Sequence, residues 1–326
     1  SMLSEGPDII FIDEFHYLKN ATRVLKAVHD MKTGKKIFAS GSSSIEIHKH
    51  LKESLAGRFR VTNLGPLTLS EQMTVRGYAK DDYLVMGGLP GLIHEEKHDE
   101  KMKLLKNIVE TYLLKDIKAL IKEENIRAFN HLLYHIAQNQ GSVSTVAGFA
   151  REVRLSEPAV NHHLEIMEQT RVAFGLPSYS ANLSNELKKS RKYYLYDLGI
   201  RNSILNDFSP LNKRPDNGVL LETYAFLTLH EYIKPNMELR FWRTRQGDEV
   251  DFILLKNRIP HPIEVKFNLD RCEVPPGMKK FLSAYPKAPA GYVISRNFSG
   301  SAEFDKRNIR FIKWDRIEGL DILNNQ

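Results

Sequence analysis

The sequence holds one cysteine, Cys272, in 326 residues. A lone thiol forms neither an intrachain disulfide nor a thiolate zinc cluster, so the chain suits a reducing compartment and is expected in the cytoplasm. No apolar run approaches the roughly 20 residues that cross a bilayer as a helix, and the amino terminus lacks the basic-then-apolar layout of a secretory signal. A membrane is therefore not an expected partner. The sequence has no G-x-x-x-x-G-K-[ST], no H-E-x-x-H, no G-x-S-x-G, and no G-x-G-x-x-G after a strand. Phosphate-cradle, zinc-protease, esterase and dinucleotide signatures are thus missing. Repeats and low-complexity tracts are missing too. Charge of one sign is not dominant: 47 Lys and Arg face 40 Asp and Glu, a net +7. That excess permits an anionic partner without demanding one.

What is present is globular. Hydrophobic residues make up 42% and charged residues 27%, and this length allows two or three domains of about 100–200 residues, each with its own core. Three compositional pauses divide the chain: Gly87-Gly88-Leu89-Pro90-Gly91, the polar stretch from Gln138 to Ser144, and Asn206 to Gly218. Before the first, Ile9 to Ile12 and Lys36 to Ala39 read as short buried strands around an amphipathic stretch from Thr22 to Met31, an α/β signature. From Lys101 to His135 apolar residues recur at helical spacing, as a helical connector would show. After Gly218 the pattern predicts a long helix, then strands around Leu239–Trp242, Glu249–Leu255 and Pro262–Phe267. A helix over Lys279–Tyr285 and a strand at Gly291–Ile294 complete a second α/β unit.

The strand Ile9-Ile10-Phe11-Ile12 ends in Asp13-Glu14. P-loop ATPases use this arrangement to hold nucleotide-bound Mg²⁺ with the Asp and to polarise a water with the Glu. A buried strand stopping at two solvated carboxylates reads the same way. The second strand runs into Ser40-Gly41-Ser42-Ser43-Ser44, small polar groups suited to a phosphate or a water, and Gly57-Arg58 follows. With Pro66-Leu67 to Glu71 and Gly87-Gly88-Leu89-Pro90, these motifs resemble the prokaryotic AAA-type ATPases that carry a nuclease-like domain of unknown function at the carboxyl end. The resemblance runs along the chain. It implies nucleotide contacts from Asp13, Glu14, Ser42 and Arg58 only in a longer protein that supplies the phosphate loop. Without that loop nothing compensates the triphosphate charge, so ATP is a ligand of the full-length protein and this chain alone is not expected to hydrolyse it. Ser1-Met2 reads as an imposed start. A nucleotide-binding sheet short of a strand also invites pairing with another copy.

Phe129 to Tyr196 suggests a winged helix-turn-helix: one helix through Ala137, a second from Thr145 to Val153, and a third N-capped by Ser156 with Glu157 and Pro158 in its first turn. On the third helix Val160, Leu164 and Met167 share a core face. Asn161, His162, His163 and Gln169 are left toward solvent, where such a helix reads base edges. Val172–Leu176 and Tyr193–Tyr196 make the wing, with Lys188, Lys189, Arg191 and Lys192 at its tip to meet a DNA backbone. A charge run at a hairpin tip is equally a solvated loop, and many winged helices contact proteins instead.

The sharpest pattern is Gly247-Asp248-Glu249-Val250-Asp251-Phe252 followed by Pro262-Ile263-Glu264-Val265-Lys266. Strand alternation puts Glu264 and Lys266 on one face, with Ile263 and Val265 on the other. Two carboxylates and an ammonium on adjacent strands suit a Mg²⁺-dependent phosphodiesterase: oxygen ligands for a hard cation, and a Lys for the attacking water or the transition-state charge. Salt bridges of Asp251 and Glu264 with Lys266 and Arg245 in an inactive domain read the same residues equally. The pattern resembles the PD-(D/E)XK nuclease core, which implies Asp251, Glu264 and the helix acid Glu222 as ligands of Mg²⁺ or Mn²⁺, with Lys266 assisting the nucleophile. Arg243 and Arg245 are candidate phosphate contacts.

The expected fold is therefore α/β and multidomain: a partial P-loop ATPase sheet over 1–75, a helical connector over 76–125, a winged helix-turn-helix over 126–210 and a PD-(D/E)XK-like α/β domain over 211–326. The expected act is metal-dependent cleavage of DNA. The competing expectation is a non-catalytic DNA- or protein-binding module of an ATP-binding protein.

Overall fold

The computed structural model describes residues 7–15, 18, 20–32, 34–41, 58–75, 79–111, 126–180 and 190–324. Ser42, Lys188 and Lys189, and the carboxyl-terminal part of the expected connector at 112–125, lie outside the described residues. The chain divides into two units, Ser1–Leu64 and Gly65–Gln326.

In the first unit β1 (Ile9–Ile12) and β2 (Lys36–Ala39) pair in parallel, Ile9 opposite Lys36 and Ile12 opposite Ala39, with helix α1 (Ala21–Asp30) between them in sequence. Parallel neighbours need such a crossover, so the β-α-β reading holds. Full burial of the two strands does not. Phe11 and Phe38 stack at 5.1 Å between ring centroids but remain 78% and 54% exposed. Phe15 and Val28 are the buried apolar side chains among this unit's described residues.

The second unit opens with helices. α2 (Leu69–Gln72) starts in a capping box, Thr68 accepting from the Glu71 N–H at 3.2 Å while the Glu71 carboxylate accepts from the Thr68 N–H at 2.8 Å. α3 (Lys80–Met86), α4 (His98–Ile108) and α5 (Ile126–Gln138) follow. Strand β3 (Val143–Thr145) leads into α6 (Val146–Val153), and α7 (Glu157–Gln169) begins where Ser156 accepts from the Ala159 N–H at 3.4 Å. β4 (Ala173–Pro177) and β5 (Ser190–Leu195) then form an antiparallel sheet of order β3-β5-β4.

Asp197 caps α8 (Leu198–Leu205) by accepting from the Ile200 N–H at 2.9 Å. It also accepts from the Gly88 N–H at 2.7 Å, which ties the Gly87-Gly88 loop to this helix. Gly87 has φ 78°, and a Cβ there would run into the Asp197 carboxylate. The glycine pair is thus a packing requirement.

Helix α9 (Asn217–Glu231) is buried on most of its circumference, by Leu220, Leu221, Thr223, Tyr224, Ala225, Phe226 and Leu229 among others. Such a helix is enclosed between layers. Behind it lies a six-stranded sheet formed by β6 (Met237–Arg243), β7 (Glu249–Lys256), β8 (Ile259–Lys266), β9 (Ala290–Ser295), β10 (Gly300–Phe304) and β11 (Arg307–Lys313), with α10 (Pro276–Ala284) between β8 and β9 in sequence. The strand order is β10-β11-β9-β8-β7-β6, with parallel pairing only at β8-β9 and β9-β11.

Phe252, Ile263 and Val265 pack in the cluster that includes α9, whereas Ile253 and Val293 pack with Met278 and Phe281 of α10. Helices therefore cover both faces, and the middle strands are buried on both. The β10-β11 hairpin escapes sequence reading because its turn is Asp305-Lys306, both with positive φ, where Asn-Gly would have marked it.

Candidate functional site

Asp13 ends β1, and its Oδ1 accepts from the Glu14 N–H at 3.0 Å and from the Ser40 hydroxyl at the end of β2. Parallel register brings the two strand ends together. Arg58 donates to the Asp30 carboxylate at 3.1 Å, at the carboxyl end of α1.

The carboxyl-terminal residues converge. Glu222 comes from α9, Asp251 from β7, and Glu264 and Lys266 from β8. The ladder pairs Phe252 with Ile263, so Asp251 stands opposite Glu264. Asp251 Oδ2 accepts from the Val265 N–H at 2.8 Å, and Lys266 donates to Glu264 Oε1 at 2.8 Å. Glu264 is 6% exposed, and its Oε2 is buried with no hydrogen-bond partner. It does not lie on an open polar face, because Val293 of β9 flanks it and α10 covers that side.

At the centre of these acids sits Lys192. Sequence reading places it at a basic wing tip, but it is fully buried on the central strand of the three-stranded sheet. Its Nζ lies 2.6 Å from Glu249 Oε1, 3.2 Å from Glu222 Oε1 and 3.7 Å from Asp251 Oδ1. Tyr194, two residues on and so on the same face, donates its hydroxyl to Glu222 Oε1 at 2.7 Å and stacks on Phe226 at 4.1 Å. The alternation Arg191-Lys192-Tyr193-Tyr194 was the available signal, since a strand that buries Tyr194 must turn Lys192 the same way.

Glu249 was also missed. It joins Lys192 to Arg243, whose guanidinium donates at 2.9 Å. Arg191 pairs with Glu168 at 3.0 Å, and Arg245 is exposed in the turn before Asp248. His163 is a further correction: it is 1% exposed, with its ring edge-to-face on Phe129 at 5.5 Å, because α7 is covered on more than one side. His162 and Asn161 are exposed as expected.

Burial pushes the Glu222 carboxyl up to about 7 against the pull of Lys192, with Asp251 adding to the rise. Glu264 is pushed up to about 8 by burial and then by the Asp251 charge, with Lys266 opposing. Burial disfavours the Lys192 ammonium, yet Glu222, Asp251 and Glu249 together hold its pKa above the ordinary lysine value. A divalent ion requires oxygens at about 2.0–2.6 Å in an open shell. Here an ammonium already occupies the point where three carboxylates meet, and one Asp251 oxygen is committed to the backbone. Mg²⁺ or Mn²⁺ does not fit the acids in this arrangement. Among the described residues no group of three His, Cys, Asp or Glu is set to hold a metal.

Three family models match the chain. Residues 1–73 match one described as an AAA domain, residues 79–211 a domain of unknown function (DUF8612), and residues 217–312 another domain of unknown function (DUF4143). The amino-terminal segment is AAA-like. Uncharacterized proteins of Mycobacterium tuberculosis (Rv2008c) and Mycobacterium bovis (Mb2031c) are 25% identical to this chain over 81% of it and 60% of their own length. An uncharacterized protein of Methanocaldococcus jannaschii (MJ1544) is 23% identical over 86% of the chain and 64% of its own length. The chain thus spans about three fifths of these curated relatives. Protein VC1899 from Vibrio cholerae aligns over 97% of the chain and 96% of its own, at 12% identity and a TM-score of 0.22, which is too low to establish a shared fold.

Proposed function

We propose that the chain is part of an AAA-type ATPase and that its carboxyl-terminal unit is a PD-(D/E)XK-like scaffold with a winged-helix module, which binds a partner without cutting nucleic acid. The carrying observation is Lys192, whose ammonium takes the place among Glu222, Glu249 and Asp251 that a metal-dependent nuclease would leave open.

A protein partner is favoured over DNA. Helix α7, the expected reading helix, carries Glu157, Glu165 and Glu168 and no Lys or Arg, and carboxylates facing a phosphate-lined groove repel it. Arg191 and Arg243 already serve Glu168 and Glu249.

The test incubates the purified chain with supercoiled, linear and single-stranded DNA, with Mg²⁺, Mn²⁺ or EDTA, beside Asp251→Asn. No metal-dependent cutting and no salt-sensitive DNA retention are expected. Retention without cutting would replace the protein partner with DNA. The nuclease reading rests on the meeting of Asp251, Glu264 and Lys266, and cutting that is lost in the variant would establish it.

A further inference from the structure

Two sheet edges meet in the second unit. Among the described residues β4 pairs along its length only with β5, and β6 only with β7. Their outer edges touch at one parallel bridge, where the Phe241 carbonyl accepts from the Tyr179 N–H at 2.6 Å. Two residues back along both strands, the same pattern sets the nitrogen of Pro177 against the Leu239 carbonyl. Proline has no N–H to give, so the pairing stops there and the strands part. Between them lies an open cleft of about 390 Å³.

The walls of this cleft are main chain. Val172 and Asn236 turn toward their own ladders, accepting from the Tyr196 and Asn257 N–H groups. Alternation along each strand then turns the N–H and C=O of Gly175 and Leu239 the other way, into the cleft. An edge left so is a template for one more strand. The floor is aromatic: the rings of Phe174, Phe226 and His230 lie 4.5–6.0 Å apart between centroids. At the mouth Arg240 answers Glu238, and Arg191 reaches Glu168 across the bare backbone of Gly175. Burial nevertheless holds the Glu168 carboxyl above its ordinary value, so its charge is under-compensated. The His230 ring opposes no cation there, because burial lowers its pKa and favours the neutral form.

We propose that this cleft is the docking site for the protein partner and takes a short extended segment of it. The segment's backbone pairs with Gly175 and Leu239, an apolar side chain covers the three rings, and a Lys or Arg meets Glu168. The proposal rests on the protein-partner reading above and deepens it by naming the partner's conformation and chemistry. Free main-chain groups on both walls select a strand, since a helix satisfies its own backbone and a small apolar molecule would leave these groups unpaired.

The test presents the full chain to a library of random dodecapeptides, and enriched sequences are labelled with a fluorophore and titrated by anisotropy. They are expected to alternate apolar residues and to carry a Lys or Arg. Methylation of their central amide nitrogens is expected to weaken binding at least roughly tenfold. Pro177→Ala supplies the missing donor and lets β4 close on β6, so it should unfold no earlier than the parent and lose binding by a similar factor. Glu168→Gln is the second variant, read if the first folds poorly. It should weaken the cationic peptides and leave the same peptides with norleucine in place of the cation unchanged.

A library that yields no binder overturns the proposal. So do binders indifferent to methylation and to both variants, which would mark another surface and leave the protein-partner reading standing without the cleft. Salt-sensitive DNA retention or DNA cutting by the unsubstituted chain sinks that reading by itself, whereas peptide binding is measured without any nucleic acid.

Discussion

A lysine head buried to 1% side-chain exposure persists only where its partners offset the lost hydration. Buried acids carry the opposite strain: burial raises Glu222, which touches this lysine, to about 7, Glu264, paired with Lys266, to about 8, and Asp197, under its backbone N–H donors at the start of α8, to about 6. The sign follows from linkage. A carboxyl whose folded pKa lies above its unfolded value adds stability below the unfolded value, and that contribution is lost as pH rises through the folded one. Asp216 runs the other way. Burial raises it, but hydrogen bonds from Arg214 and Arg201 bring it down to about 2, so its contribution is present above the ordinary Asp value and lost as pH falls toward 2. Resistance of the second unit to urea is therefore expected to fall as pH rises from about 5 to about 8. Glu264→Gln should flatten that slope by at least roughly 1 kcal/mol, since one pKa unit is worth about 1.36 kcal/mol. A flat profile in the unsubstituted chain would remove the argument. Glu222 and Glu264 were legible from sequence as acids among apolar neighbours. Glu249 and Lys192 were not, because only strand pairing and the layer above them decide where they point.

At the scale of elements, the acidic strand is held by close backbone approach. Helix α10 starts at Pro275-Pro276-Gly277, and a Cβ at Gly277 would fall on the Glu249 carbonyl oxygen. Glycine lets the helix start press directly on β7 at the residue that faces Lys192. Gly277→Ala is expected to destabilise by about 1–3 kcal/mol, as forced overpacking does, and to expose Lys192 to modification by an amine reagent. Chemical denaturation and mass spectrometry of labelled protein check both, and an alanine variant as stable as the parent would show that the approach has slack. The elements themselves were largely readable: the Ser156 N-cap, the short strands and α9 lie where periodicity and capping put them. The β10-β11 hairpin was not, since its turn lacks Gly and Asn.

For the whole molecule, Ser1–Leu64 and Gly65–Gln326 are separate bodies of contacts, and the AAA-like segment takes in the first and runs on to residue 73. The segment ends its strands at Asp13 and Ser40, but the sequence contains no phosphate loop to bring Mg²⁺ and nucleotide to them. Millimolar ATP with Mg²⁺ is therefore expected to leave the unfolding profile unchanged and to yield no phosphate. A nucleotide-dependent rise in the midpoint would show that another part of the chain cradles the triphosphate.

By itself the sequence determined the local choices: strands from short apolar runs, helices from their spacing and caps, and the presence of an acidic strand end and a D-then-E-x-K pattern. Those are properties of neighbours along the chain, fixed within a few residues. The tertiary structure decided which charges meet. Lys192 is 30 residues from Glu222 and reaches it only because β5 packs against α9. Burial takes Lys192 out of a basic run that reads as exposed and sets it among Glu222, Glu249 and Asp251, since solvation depends on what covers a residue and not on what precedes it.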